Sequence, residues 1–195
     1  MALSDHTLLR LQRHLDLLVA WQRRMNLVGR ATLDDPWRRH VLDSAQIVPL
    51  LPPGRPVVID LGTGAGFPGL VLAIIANAEV HLVESDQRKC AFLREAARET
   101  GTALTVHSQR LESLTGLTGD VVTARACAPL PRLLGYAAPF LRRHGSGIFL
   151  KGRALASELT TASESWIMHA QQRPSLTDSE GAILIVKALR RRHDP

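Results

Sequence analysis

An aspartate and three glycines alternate along one short stretch of the chain, at Asp60, Gly62, Gly64 and Gly66. Because glycine has no Cβ, a loop with this spacing can turn sharply and lie flat against a ligand. A carboxylate just before the first glycine would repel a pyrophosphate, but it suits a ligand that carries an ammonium and a sulfonium. The stretch also departs from the dinucleotide pattern G-x-G-x-x-G. These residues favour S-adenosylmethionine over a nicotinamide dinucleotide, and a structural turn without a ligand is the third alternative.

A second carboxylate, Glu84, ends the next apolar segment, 20 residues after Gly64. A carboxylate at that distance can accept hydrogen bonds from both ribose hydroxyls of an adenosine. S-adenosylmethionine and nicotinamide dinucleotides both contain this ribose. Glu84 therefore predicts an adenosine ligand without choosing between them, and an exposed acid at a strand end is the alternative.

The elements around the glycine loop predict a doubly wound α/β fold. Residues 57–59 are β-branched, which favours a buried strand, and the apolar residues 70–76 after Pro68 favour a helix. A strand, a glycine loop and a helix form the first unit of that fold. The pattern predicts further strands at 79–84, 103–107, from 120, 147–152, 167–174 and 181–188, and further helices at 86–99, 133–140 and 158–166.

A helical segment precedes the first strand. Apolar side chains recur at three- and four-residue steps over residues 5–28, which predicts one amphipathic helix. Asp35 and Pro36 then predict the N-cap and the first residue of a second helix that runs to about Leu50. A proline-rich linker at 52–56 leads into the sheet.

These boundaries predict a single domain over residues 1–195. We expect a helical cap at 1–54 and a cofactor-binding α/β core at 55–195. The length is sufficient to bury a core without disulfides. Cys90 and Cys127 are isolated, which favours reduced thiols, and the chain contains no H-E-x-x-H pattern, so we expect no metal.

The charge balance favours a polyanionic partner. The net charge is +6, and arginine far outnumbers lysine. Arginine forks suit phosphate groups, although a solvated surface and a compositional bias are the alternatives. We interpret the polar face of the cap as a phosphate-contacting surface, as part of a target-base pocket or as a plain exposed face. Its basic residues are Arg23, Arg24, Arg30, Arg38, Arg39 and His40.

No apolar stretch is long enough to span a membrane, and the first residues lack a signal-peptide pattern. We therefore expect a cytoplasmic protein that does not contact a membrane.

The ends of the fourth and fifth strands carry two cations. Arg125 ends an otherwise apolar strand that neighbours the first in this fold, so it faces the reactive part of a ligand or forms a structural salt bridge. Lys151 contacts RNA phosphate or the target base, or it is a solvated strand end.

The chain has no N-P-P-[YF] tetrapeptide, and alanine rather than proline follows Cys127. These absences argue against methylation of exocyclic amines and of cytosine C5.

Three features together resemble the bacterial small-subunit ribosomal RNA methyltransferase G family, also called the glucose-inhibited division protein B family. They are the helical cap, the glycine loop followed by residues 67–69, and the strand at 123–126 with residues 150–152 after it. Trp21 with residues 25–27, and residues 40–44, look like that family's cap motifs, and residues 110–112 look like its adenine-side motif. The resemblance implies a Rossmann-like class I S-adenosylmethionine-dependent methyltransferase, with a mostly parallel doubly wound sheet and an N-terminal helical cap.

The resemblance further implies methyl transfer to N7 of one guanine of 16S rRNA, position 527 in the usual count. We expect a monomer that acts on the 30S subunit or an assembly intermediate. Residue by residue, the resemblance assigns cofactor contacts to Gly62, Phe67, Leu111, Glu112 and Arg125. The chain departs from the family at Gln22 and Val28, where the family often has asparagine and threonine, which bears on RNA contacts rather than on the cofactor.

The absence of these motifs agrees with methylation at guanine N7. N7 has an exposed lone pair, so its methylation needs neither deprotonation nor a covalent intermediate, and alignment alone can supply roughly 7–11 kcal/mol of the barrier. No residue is assigned as a catalytic base, and Arg125, Lys151 and His40 are candidates for positioning the substrate. The alternatives are methylation of another RNA site, a small molecule or a protein, a nicotinamide enzyme, and a non-catalytic RNA-binding assembly protein.

Overall fold

A seven-stranded sheet forms the centre of the computed structural model, which describes residues 3 to 192, and its order is β3-β2-β1-β4-β5-β7-β6. β1 to β5 are parallel, β7 is antiparallel to β5, and β6 is antiparallel to β7. This confirms the mostly parallel doubly wound sheet. The strands are β1 (Val57–Leu61), β2 (Glu79–Glu84), β3 (Thr105–Ser108), β4 (Gly119–Arg125), β5 (Leu141–Lys151), β6 (Trp166–Pro174) and β7 (Ala182–Arg191).

Helices cover both faces of the sheet. They are α1 (Asp5–Gln22), α2 (Asp43–Ala45), α3 (Gly69–Ile75), α4 (Gln87–Glu99), α5 (Leu130–Ala137) and α6 (Leu155–Ser165). No helix within the described range 3–192 has the length and apolar character needed to cross a bilayer.

Two hydrophobic cores follow from the alternation of side chains along the strands. On β1, Val58 packs into the core that also contains residues of α1, α3 and α4. Its neighbour Ile59 packs into the opposite core, with residues of α5 and α6. Asp60 follows Ile59 and is fully buried. The alternation therefore points its carboxylate toward the face of the sheet that carries the cap.

The first cap helix ends at Gln22, so the prediction of a helix to residue 28 is wrong. The side-chain oxygen of Gln22 accepts hydrogen bonds from the backbone N–H groups of Leu27 (2.8 Å) and Val28 (3.1 Å). Its amide donates to the carbonyl of Val28 at 2.9 Å. This side chain replaces the bonds that a continuing helix would have made, and the chain turns.

The second cap helix begins as predicted but is irregular. Oδ1 of Asp35 accepts from the N–H of Arg38 at 3.1 Å, the contact expected of an N-cap. The next segment, Trp37–Leu42, is π-helical and runs into α2, with a 3₁₀ turn at Val48–Leu50. His40 is only 3% exposed. Its prediction as part of an exposed polar face is therefore wrong, because it points into the molecule.

The second half of the sheet is longer than predicted. β5 begins at Leu141 rather than at residue 147, and β7 continues to Arg191. Arg190 and Arg191 pair with Ile167 and Trp166 of β6, so these arginines lie within the last strand. Cross-strand pairing thus extends into charged sequence that lacks a strand-like apolar pattern.

We expect Gln22→Ala to destabilise the fold, because it removes four hydrogen bonds to the turn after α1. The loss should be about 1–2 kcal/mol in the free energy of unfolding, measured by urea denaturation. Gln171→Ala, at an exposed position of β6, is the matched control and should change stability by less than about 0.5 kcal/mol. Equal stability of the two variants would contradict a structural function for Gln22.

Candidate active site

The loop between β1 and α3 requires its glycines. Gly62, Gly64 and Gly66 have φ angles of 60°, 57° and 85°, which side-chain-bearing residues rarely adopt. A Cβ on Gly62 would also lie 2.8 Å from Sγ of Cys127, at the exit of β4. At Gly62 the loop therefore packs directly against the residues that follow β4.

Asp60 organises this loop from below. Its Oδ2 accepts from the hydroxyl of Thr63 at 2.5 Å and from the N–H of Gly69 at 2.9 Å. Its other carboxylate oxygen, Oδ1, is buried and has no partner. Burial raises the pKa of this carboxyl to about 7, although both hydrogen bonds oppose the shift. The sequence predicted a carboxylate that faces the ligand directly, whereas the structure buries it beneath the loop, where it holds the backbone in position.

Phe67 stacks with two imidazoles. The ring centroids of His14 and His40 lie 4.7 Å and 4.6 Å from that of Phe67, with interplanar angles of 26° and 19°. The guanidinium carbon of Arg125 lies 5.0 Å from the same centroid. The stack joins α1, the glycine loop and the π-helical segment of the cap.

Hydrogen bonds define the protonation state of His40. A guanidinium can only donate, and Nη2 of Arg125 lies 3.0 Å from Nδ1 of His40, so Nδ1 must accept. The hydroxyl of Thr32 donates to the carbonyl of Gly29 at 2.6 Å and accepts from Nε2 of His40 at 2.9 Å. Burial, together with the nearby Arg125, lowers the pKa of His40 to about 3. His40 is thus a neutral imidazole with both nitrogens engaged.

Arg125 connects β4 to the cap. Its Nη1 donates to the backbone carbonyl of Arg39 at 2.9 Å and to Oδ2 of Asp43 at 3.2 Å. Asp43 in turn accepts at Oδ1 from the hydroxyl of Thr177 at 2.6 Å. The aspartate therefore ties the cap both to β4 and to the turn between β6 and β7. Sequence analysis assigned no function to Asp43, although it lies within the cap motif at 40–44.

His14 is a further residue that the sequence analysis missed. Its Nε2 lies 2.9 Å from the carbonyl of Ala65, which can only accept, so Nε2 carries the proton. Burial lowers the pKa of His14 to about 4. The residue fastens α1 to the glycine loop. Its position among Leu11, Leu15 and Leu18, on the apolar stripe of α1, is the sequence signal that could have identified it.

Lys151 is not a solvated strand end. Its Nζ lies 2.6 Å from Oε2 of Glu158 and donates to the carbonyl of Ala128 at 3.2 Å, and the side chain is 10% exposed. The same Glu158 oxygen accepts from the N–H of Leu130 at 2.8 Å. The ion pair fixes the segment between β4 and α5.

The other predicted cofactor residues lie at the ends of β2 and β3. Oε2 of Glu84 accepts from the N–H of Gly64 at 3.1 Å, so the structure brings this carboxylate against the glycine loop. Leu111 and Glu112 form a 3₁₀ turn after β3, away from the cavity described next. Backbone hydrogen bonding lowers the pKa of Glu112.

A cavity of about 500 Å³ opens between the cap and the carboxyl ends of the strands. That volume lies in the range of small-molecule sites. Gly62, Gly64, Phe67, Arg125 and Lys151 contribute to its wall. The cap adds Leu27, Val28, Thr32, Arg39, His40 and Asp43, and the turn between β6 and β7 adds Ser175, Thr177, Asp178 and Gly181.

Cys127 lies beside this cavity without the properties of a nucleophile. Burial raises the pKa of its thiol to about 11, so little thiolate forms at neutral pH. Within residues 3–192, the His, Cys, Asp and Glu side chains form no group of three that could hold a metal ion.

The residues around the loop fit an adenosine cofactor with a positively charged end. Gly62 and Gly64 line the cavity, Glu84 stands against the loop, and one buried carboxylate oxygen of Asp60 lacks a partner beneath it.

Solved structures share the fold. A methyltransferase from Pyrococcus furiosus matches 91% of this chain and 97% of its own with a TM-score of 0.62 at 15% identity. A TehB-like SAM-dependent methyltransferase from Corynebacterium glutamicum matches 93% and 97% with a TM-score of 0.60 at 14% identity. The fold is that of class I S-adenosylmethionine-dependent methyltransferases.

Sequence comparison then defines the family. The family model for rRNA small subunit methyltransferase G matches residues 7–186. Proteins named Ribosomal RNA small subunit methyltransferase G from Rhodospirillum rubrum and Paramagnetospirillum magneticum are 55% and 54% identical to this chain over 188 residues. Each match covers 96% of this chain, with 94% and 92% of the two relatives covered. The chain belongs to this family, which confirms the resemblance.

We expect the buried histidines to make stability fall with acidity. Below pH 6.5 the unfolded chain protonates His14 and His40, whereas the folded protein does so only near pH 4 and pH 3. Each such proton lowers the free energy of unfolding by about 1.4 kcal/mol per pH unit across its window. Asp60 acts with the opposite sign, because between about pH 3.8 and 7 only the folded state holds its proton.

The measurement is urea denaturation from pH 7.5 to 4.5 for the wild type and His40→Asn. The asparagine variant should show a shallower decline with falling pH, because one of the two histidine contributions is gone. His169→Asn, at an exposed position of β6, should retain the wild-type slope. A slope that His40→Asn leaves unchanged would contradict a buried neutral imidazole at this position.

Proposed function

We propose that this chain transfers a methyl group from S-adenosylmethionine to N7 of a guanine in 16S rRNA, position 527 in the usual count. The observation that carries the proposal is that the titratable groups around Arg125 are already engaged. Both nitrogens of His40 are bonded, Asp43 is paired, and Lys151 is held by Glu158. These groups can hold a substrate, and none of them is a free base. Guanine N7 is a nucleophile that needs no base.

The substrate assignment rests on the family and on charge. The curated relatives are named as small-subunit ribosomal RNA methyltransferases, and this chain carries a net charge of +6. We propose that it acts as a monomer on the 30S subunit or an assembly intermediate, and in the cytoplasm, because that is where its proposed substrate lies. The cap and the core would work as one domain, since the cavity wall is built from both.

We propose that the cofactor lies along the glycine loop. Bound S-adenosylmethionine supplies an electrophilic methyl group. Glu84 would accept from the ribose hydroxyls, and Leu111 and Glu112 would border the adenine. The backbone of Gly62 and Gly64 would line the ligand, with Phe67 beside it. Gly66 was predicted to do the same, but it is buried against Leu70 and is absent from the cavity wall, so it would serve the turn of the loop. Asp60 would support this binding from beneath the loop, through its hydrogen bonds to Thr63 and Gly69.

The chain's own residues would then act by position. Arg125 is fixed by three partners, so its charge and the ring of Phe67 beneath it have one orientation. His40 and Lys151 border the cavity as rigid walls, because their polar atoms are bonded. Such alignment accelerates a transfer in which no proton moves before the bond forms.

Arg125→Ala should lower methylation of the RNA substrate by about a hundredfold, because misplacement of reacting groups by about 1 Å can cost that much. The measurement is transfer of labelled methyl groups to 16S rRNA, to 30S subunits and to total protein, with the modified nucleotide mapped. Arg143→Ala, at the exposed start of β5, is the matched control and should retain activity. Thermal unfolding of both variants checks that they fold.

Three outcomes would overturn the proposal. Label found only in protein would exclude an RNA substrate. RNA binding by a wild type that binds neither S-adenosylmethionine nor S-adenosylhomocysteine would favour an assembly protein. Label at an RNA atom other than guanine N7 would indicate a methyltransferase that acts at a different site.

A further inference from the structure

The turn between β6 and β7 presents an apolar side chain at the mouth of the cavity. Ser175 and Thr177 contribute to the cavity wall, and Leu176 lies between them. Its side chain is 70% exposed, compared with 63% for Leu9 on α1. A leucine so exposed gains nothing from burial within its own fold. It is available for an apolar contact with something that approaches the cavity.

The backbone of Leu176 is held on both sides. Its N–H donates to Oε1 of Gln46 at 2.6 Å, and its carbonyl accepts from Nη2 of Arg38 at 3.2 Å. The hydroxyl of Thr177 bonds Asp43 at 2.6 Å. These bonds fix the main chain of the turn against the cap, and with it the direction of the Cα–Cβ bond of Leu176. The exposure is therefore built into the turn.

The surroundings suit a phosphate backbone on one side of this leucine. Arg38 and Arg153 are exposed, and Arg153 follows Gly152 of the cavity wall. The turn also carries two acids. Asp178 lies 3.8 Å from Arg39, which offsets its charge, and Glu180 is exposed. An exposed arginine of the cap, another after β5 and an apolar tip at the mouth form a mixed surface typical of side chains that enter a base stack.

We propose that Leu176 is a wedge, which fills the gap in the RNA base stack when the target guanine enters the cavity. This inference rests on the proposed function. A base that must reach an atom inside a walled cavity leaves its stack, and unstacking costs a few kcal/mol. An apolar side chain fixed at the mouth offsets part of that cost by stacking on the exposed neighbour. Leu176 is thus a positioning residue that acts before methyl transfer.

The test compares Leu176→Ala, Leu176→Met and Leu9→Ala on whichever of 16S rRNA or 30S subunits the wild type methylates. Leu176→Ala should lower kcat about tenfold, because the cost of unstacking the target base is then no longer offset by an apolar contact. Its KM for RNA should change less than about threefold, since phosphate contacts dominate binding. Affinity for S-adenosylhomocysteine, measured by calorimetry, should stay at the wild-type value.

Leu176→Met keeps an apolar side chain of similar volume and should restore kcat to within about twofold of the wild type. Leu9→Ala removes an equally exposed leucine from α1 and should match the wild type. Wild-type kcat in Leu176→Ala would overturn the wedge, as would a methionine variant as slow as the alanine variant. A wild type that methylates neither RNA substrate would instead overturn the proposed function, and the wedge with it.

Discussion

The pairing of the half-buried guanidinium of Arg125 is the interaction on which the site depends. Arg125 ends β4, yet three of its contacts reach the cap, at the carbonyl of Arg39, at Asp43 and at His40. A charge in this position must be paired, because desolvation without partners is costly. Asp43 provides the countercharge and carries the connection on to the β6–β7 turn. One ion pair therefore holds together three parts of the cavity wall that lie far apart in the sequence.

Neutral imidazoles complement that charge. His40 accepts from the guanidinium, and His14 donates to the glycine loop. Both rings stack on Phe67, so the aromatic column gives the loop a rigid support from the cap. Had either imidazole been protonated, it would have placed a second cation near Arg125. The packing thus requires both rings to stay neutral, which their low pKa values ensure. The burial that lowers these pKa values also fills the core beneath the loop.

The sequence predicted the parts of this structure that have a local pattern. The strand at Glu79–Glu84 was predicted at the observed bounds, and the alternating glycines located the loop. The end of α1 was missed because glutamine favours helices, and nothing local distinguishes Gln22 from its neighbours. The bond between Asp43 and Thr177 joins residues 134 positions apart, so no spacing rule reveals it. The sequence analysis missed His14 because only the three-dimensional structure reveals its hydrogen-bond partner, the carbonyl of Ala65.

The close approach of Gly62 and Cys127 has a consequence for inhibitor studies. There is no room for one methyl group between this glycine and the sulfur, so a substituent on the sulfur would have to displace the loop. Thiol reagents would then block the cofactor site by steric displacement, slowly because the thiol is mostly protonated. Loss of activity on alkylation would therefore be a sign of crowding at the loop, and it would carry no information about a covalent intermediate.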